Sequence, residues 1–225
     1  MKYFIYSPIG RTGSKRIFDP ITETCCNEAD NRTRYSLTYG TLWKLGDGET
    51  VKIEGEADIV STLDNTGDPI AVHSHNDIIL PTDAEPWTFI LSGRKRKIDS
   101  VLSRLLANKS GSSHPMKSAK EGFEAFEADL EEVDSLIEYY IEKEYEFVNS
   151  VKALGKEPVV VYMEDDFATL QEKVGVQFDE SLAVHDTHTK SIYKAVDYIT
   201  NYDAIQAMYD ENLSDYQTRF FSDTE

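Results

Sequence analysis

Three short stretches carry side chains whose types and spacing suit chemistry on an anion. The first is Ser7-Pro8-Ile9-Gly10-Arg11-Thr12-Gly13-Ser14-Lys15-Arg16, where an apolar run gives way to a helix-compatible one. Backbone N–H groups at a helix N-terminus lack helical partners and attract negative charge, and glycines let a ligand come close to the backbone. Arg11 adds a planar fork for oxygens, and Thr12 and Ser14 add hydroxyl donors. The stretch is neither a Walker A loop, since GxxxxGK followed by Ser or Thr is absent, nor GxGxxG. By motif alone it is a strand-to-helix turn containing Gly and Ser. The second stretch is His73-Ser74-His75. Two histidines at i and i+2 of a strand share a face, and imidazole is the usual general base near neutral pH. A hydrogen-bonded pair at a strand end is the plainer reading. A metal site needs a third ligand, and no nearby Cys or His supplies one. The third stretch is Gly93-Arg94-Lys95-Arg96-Lys97, the densest basic run in the chain. It is either a local anion site or a helix end that balances nearby acids.

These residues need a frame. Lys2–Ser7, Pro69–His75, Trp87–Ser92 and Pro158–Tyr162 read as strands, each apolar and β-prone, with Thr50–Ile53 a further short extended stretch. Lys15 to Cys26, Glu56–Leu63, the run through Ile98, Val101, Leu102, Leu105 and Leu106, Phe167–Val174 and part of Tyr193–Tyr209 read as helices. A long amphipathic helix is expected from about Lys120 to Leu154, ended by Gly155, with Phe123, Phe126, Leu130, Val133 and Ile137 on its apolar stripe. Asp30–Gly48 is mixed, with Leu37, Leu42, Trp43 and Leu45 as buried positions. Asn108–Pro115 is a Ser- and Gly-containing loop. Strands alternating with helices predict an α/β protein with a mostly parallel sheet covered on both faces, a three-layer sandwich forming a single domain over residues 1–225.

Composition narrows the function. The formal net charge is −18, which argues against nonspecific binding to nucleic acid phosphates. Between Lys120 and Glu146 there are eleven Asp and Glu against two Lys, a solvated helix face. No apolar run approaches the roughly 20 residues of a membrane span. The opening Met1–Pro8 is too short and aromatic for a signal peptide, so a cytoplasmic location is expected. Adjacent Cys25 and Cys26 form no disulfide framework and no CxxC metal pattern, and read as reduced thiols.

Arg11-Thr12-Gly13-Ser14 after an apolar strand resembles the 5′-phosphosulfate loop of sulfotransferases that use 3′-phosphoadenosine 5′-phosphosulfate (PAPS). That loop is a basic residue, Ser or Thr, Gly, then Ser or Thr. The resemblance implies a P-loop NTPase-like architecture, with Arg11 at the transferring sulfuryl group and Thr12, Gly13 and Ser14 as its cradle. Lys15 stands where the family often has a second Ser or Thr, and is counted with the cofactor-binding residues. In the same family a strand is followed by a basic residue and then a serine that hold the cofactor's 3′-phosphate. Here Arg94 and Ser103 take those places. Lys95 lies at the eight-residue spacing, but a guanidinium forks a phosphate better than an ammonium does. His75-Asn76-Asp77-Ile78-Ile79-Leu80-Pro81 is similar to the family's catalytic histidine segment, which makes His75 the implied base and His73 its alternative. Val159–Asp165 resembles a late strand with a Tyr-Glu-Asp signature, interrupted by Met163. Lys190–Tyr202 and Asn201-Tyr202-Asp203 resemble the C-terminal segment of small bacterial and phage-type members, where Lys190 or Lys194 would touch the 3′-phosphate, although the family's Arg-Lys-Gly motif is missing. The resemblance spans roughly residues 1 to 210 and implies sulfuryl transfer from PAPS to a small-molecule or carbohydrate hydroxyl, leaving adenosine 3′,5′-bisphosphate, without a metal. The alternatives are a nucleotide-binding phosphoryl-transfer enzyme, or an inactive binding protein on the same fold.

Overall fold

A computed structural model describes residues 1–8, 15–25, 33–45, 51–67, 70–75, 77–110, 123–178 and 195–221. In chain order these form β1 (Lys2–Ser7), α1 (Lys15–Cys25), β2 (Thr33–Thr38), β3 (Thr41–Leu45), β4 (Val51–Glu54), α2 (Glu56–Asn65), β5 (Ile70–His75), β6 (Trp87–Gly93), α3 (Lys97–Ser110), α4 (Leu130–Ala153), β7 (Val159–Tyr162), α5 (Phe167–Val174), α6 (Ala195–Tyr198) and α7 (Tyr202–Phe221). The chain divides into two compact units, Met1–Lys95 with Glu146–Val184, and Arg96–Tyr145 with His185–Glu225. No helix among the described residues is long and apolar enough to cross a membrane.

The first unit holds the whole sheet, in the order β4-β3-β2-β5-β1-β6-β7. Every residue of β1 is buried, as expected for a strand enclosed on both faces, and it pairs in parallel with β5 and β6. β2 joins β5 and β7 joins β6, also in parallel. The fold is therefore α/β with a mostly parallel sheet, as the strand–helix alternation predicts. Alternation along β1 sends Tyr3 and Ile5 to one face, where Ile17, Phe18 and Ile21 of α1 and Leu170 and Val174 of α5 cover them. Phe4 and Tyr6 point to the other, beneath Ile59 and Leu63 of α2 and Phe147 and Val151 of α4. The Phe147 ring stacks on Tyr6 with centroids 4.7 Å apart.

Two elements differ from the sequence reading. The mixed region Asp30–Gly48 contains a β-hairpin, β2 and β3, extended antiparallel by β4. Its two-residue turn holds Tyr39 and Gly40 at φ 51° and 66°, a turn that matches strand twist but asks an unusual conformation of Tyr. The long helix starts at Leu130, not near Lys120. The Asp129 carboxylate accepts the N–H groups of Glu131 (2.9 Å) and Glu132 (3.4 Å) and fixes the start there. Its end is as expected. Gly155 sits at φ 75°, and the N–H groups of Gly155 and Lys156 close back on Lys152 and Val151 at 2.9 and 3.3 Å.

In the second unit, Phe126 is extended, not helical, and bridges Ile199 in parallel. Its N–H donates to Tyr198 O (2.8 Å) and its carbonyl accepts from Thr200 N (2.9 Å). Asn201 continues this pairing with its side chain, accepting from Ala128 N (3.0 Å) and donating to Ala128 O (2.8 Å). Tyr216 Oη donates to the Asp134 carboxylate, and burial together with that carboxylate pushes its phenol upward.

Candidate functional site

In an open α/β sheet, ligands bind beyond the carboxyl ends of the strands, at the point where successive connections leave on opposite faces. Here that point lies between β1 and β6. α1, which follows β1, covers the face of Tyr3 and Ile5. The part of α4 that returns the chain from β6 toward β7 covers the face of Phe4 and Tyr6. β1 and β6 therefore flank the switch, and in sequence they run into the two stretches singled out for anion chemistry, Ser7–Arg16 and Gly93–Lys97. Arg11, Thr12, Gly13 and Ser14 lie outside the described residues. So do Lys190 and Lys194. Lys15 opens α1.

The carboxyl edge is polar on the α1 face. Below it, Ile5, Ala71 and Ile90 are core. Level with Ile5 and Ile90, the same face carries His73 on β5 and Ser36 on β2, and the next row up carries Ser7 on β1, His75 on β5, Thr38 on β2 and Ser92 on β6. His75 stands in register with both Ser7 and Thr38. Neighbouring strands are about 4.8 Å apart, so these three form one row. Ser7, Ser92 and His73 are buried, whereas His75 is half-buried at the strand's last residue. The His73 ring stacks on Phe18 of α1 (5.2 Å) and meets His75 edge-on (4.1 Å). His73 is thus packed into the layer beneath α1, and His75 stands nearer the edge. Ser92 was not singled out from sequence, and Ser7 entered only as the start of the first stretch. Their signal is there in retrospect: an apolar strand ending in a hydroxyl residue.

The basic run divides its labour. Lys95 turns to β7: its N–H donates to Glu164 Oε2 (3.1 Å), and its Nζ lies 3.7 Å from Asp165 Oδ1. Arg96 donates to Gln206 Oε1 and lies over the Tyr209 ring at 5.9 Å. Lys97 pairs with Glu144 at 2.6 Å. Lys95, Arg96 and Lys97 therefore serve protein partners, as a helix end balancing acids would. Arg94 is half-buried directly after β6. Ser103 lies on α3, half-buried, in the second unit.

Asp165 organises the end of β7. Burial alone would raise its carboxyl, but Lys173 Nζ at 2.7 Å, Tyr162 N–H at 2.9 Å and the Lys95 charge outweigh it, so the group is held below the usual carboxylate range. Lys173 and Lys95 also flank the Tyr162 ring, at 5.2 and 6.0 Å. A carboxyl depressed on folding stabilises above its unfolded value, near 3.9, and that contribution is lost as pH falls through the folded value. Asp165→Asn is expected to cost about 1.5–3 kcal/mol at pH 7. The gap to wild type should narrow below about pH 4. Urea denaturation at the two pH values checks both statements.

Among the described residues, no group of three or more His, Cys, Asp or Glu is arranged to hold a metal ion. No family model matches the chain, and neither a curated protein nor a solved structure matches it.

Proposed function

We propose that the protein is a sulfotransferase with P-loop-like architecture that works in the cytoplasm and moves a sulfuryl group from PAPS to an acceptor hydroxyl, with no nucleic acid as partner. One observation carries this reading. The segment resembling a phosphosulfate loop and the Arg94 segment leave the two strands that flank the sheet's switch point, and His75 ends the strand on the other side of β1. The donor set fits the cofactor's chemistry: hydroxyls on the strand ends, a guanidinium after β6, and a buried acid after β7, Asp165, that is paired with both Lys173 and Lys95.

PAPS, when bound, supplies an activated sulfuryl group. The residues of this chain then have separable tasks. His75 takes the acceptor's proton as the acceptor oxygen bonds to sulfur and the bond from sulfur to the phosphate oxygen breaks. Arg11 and the N–H groups of residues 12–14 stabilise the charge that collects on that phosphate oxygen. Ser14 orients the donor and Lys15 adds positive charge beside it. Arg94 holds the 3′-phosphate.

Calorimetric titration with adenosine 3′,5′-bisphosphate, with AMP and ATP–Mg²⁺ as controls, tests the proposal. The bisphosphate should bind well ahead of AMP. Arg94→Ala should weaken it about 10- to 100-fold, or roughly 1.4–2.7 kcal/mol, while barely changing AMP. Equal binding of AMP and the bisphosphate by wild type would remove the sulfotransferase reading, and preference for ATP–Mg²⁺ would point to phosphoryl transfer instead.

A further inference from the structure

Tyr39 combines two properties that the fold itself does not reward. Among the described residues it is the one non-glycine residue in the left-handed backbone region, at φ 51°. Its side chain is also exposed, 79% accessible. A two-residue hairpin turn of this kind favours Asn-Gly, because Asn tolerates a positive φ and Tyr does so poorly. A bulky ring in strained backbone is usually compensated by packing, and here no packing covers it. Strain of this sort, where it persists, clusters at ligand-contacting positions.

Its place is defined. Thr38, the residue before it, is in register with His75. The N–H of Gly40, the residue after it, donates to Asp77 Oδ2 at 3.2 Å, and Ser74 Oγ donates to the Asp77 carbonyl at 2.5 Å. The hairpin tip is thus tied to the segment leaving β5, two residues beyond His75, and Ser74 holds that segment in turn. An exposed aromatic ring held at the rim of the carboxyl edge offers a flat apolar face, which aryl and pyranose rings stack against.

We propose that Tyr39 is the acceptor platform of this site: its ring lies against the flat face of a ring-bearing acceptor alcohol whose hydroxyl approaches His75, with Asp77 as the residue that positions the turn. The proposal rests on the sulfotransferase reading for the chemistry at His75, but not for the ring contact itself.

The test uses the full chain as wild type, Tyr39→Asn and Tyr39→Phe, titrated with 2-naphthol, methyl β-D-glucopyranoside and, as an acyclic control, 1-hexanol. At least one ring probe should bind wild type. Its Kd should rise tenfold or more in Tyr39→Asn and stay within about twofold in Tyr39→Phe, because the ring face is kept. 1-Hexanol should be indifferent to both changes. Tyr39→Asn should melt at or above the wild-type temperature, since Asn-Gly suits the turn, so lost binding would not be lost folding. Which ring probe binds decides between an aryl and a sugar acceptor. Binding of both ring probes to Tyr39→Asn as to wild type, or of neither to wild type, overturns the platform. Adenosine 3′,5′-bisphosphate titrated into the same samples separates the two readings. If it fails to bind wild type while a ring probe still depends on Tyr39, the sulfotransferase reading falls and the platform stands.

Discussion

Lys97→Ala is expected to destabilise the protein by about 3–5 kcal/mol, because it leaves Glu144 buried without its counter-charge. The two side chains are 12% and 5% exposed, and Lys97 Nζ reaches both carboxylate oxygens, at 2.8 and 2.6 Å. The Tyr140 ring closes over the ammonium at 5.3 Å. Even with Lys97 present, burial outweighs its charge and holds the Glu144 carboxyl above the ordinary range. Without Lys97 the carboxyl rises further and takes up a proton to remain inside. The sign follows. A group whose folded value exceeds its unfolded value, near 4.3 for Glu, favours the folded state most below that value and loses this as pH rises through the folded one. The deficit of Lys97→Ala should therefore be small at pH 4 and grow toward neutrality. The double change Lys97→Met with Glu144→Leu should return to within about 1 kcal/mol of wild type or exceed it, since a well-packed apolar pair often replaces a buried ion pair without loss. Urea denaturation of the three proteins across pH 4–8 measures all of this. A deficit in Lys97→Ala that does not vary with pH would show that Glu144 is not the stranded charge.

His75→Ala is expected to slow sulfuryl transfer from PAPS by about 10²–10⁴-fold, the usual contribution of a positioned general base. The comparison uses whichever carbohydrate, aryl alcohol or peptide-tyrosine acceptor wild type turns over. Binding of adenosine 3′,5′-bisphosphate should be unchanged. His73→Ala behaves differently. His73 is 5% exposed and stacked on Phe18, so its loss should lower the melting temperature more than the rate. Undiminished transfer by His75→Ala, with the rate falling in His73→Ala, would exchange the two assignments.

The parallel sheet was legible because its strands are unusually plain. β1, β5 and β6 are apolar runs bounded by Pro, Gly or polar residues, and burial on both faces demands that composition. The hairpin was not legible, because Thr33–Leu45 alternates Arg, Ser and Thr with Tyr and Leu. That pattern suits a strand facing core on one side only, and Tyr at the turn hides the usual Asn-Gly signal. The start of α4 was misplaced because Phe123 and Phe126 continue its apolar spacing. Periodicity does not register a cap, and Asp129 decides the boundary through two backbone hydrogen bonds. At the site, the types of Arg94 and His75 could be read from sequence, but the tasks of Lys95, Arg96 and Lys97 could not. Their partners, Glu164 and Asp165, Gln206, and Glu144, are distant in sequence and met only through the fold.

The position of β1 has a consequence for synthesis of the chain. Lys2 pairs with Ile70 on one side and Trp87 on the other, so β1 precedes both of its neighbours. At ribosomal speeds of about 5–20 residues per second, β5 follows it by roughly 3–14 s and β6 by roughly 4–17 s, so until β5 emerges a largely apolar strand has no native edge to join. The meander β2–β3–β4 closes locally and needs no such wait. The nascent chain thus carries β1 unpaired until β5 emerges, which makes that strand a natural point of engagement for a chaperone that holds extended apolar sequence.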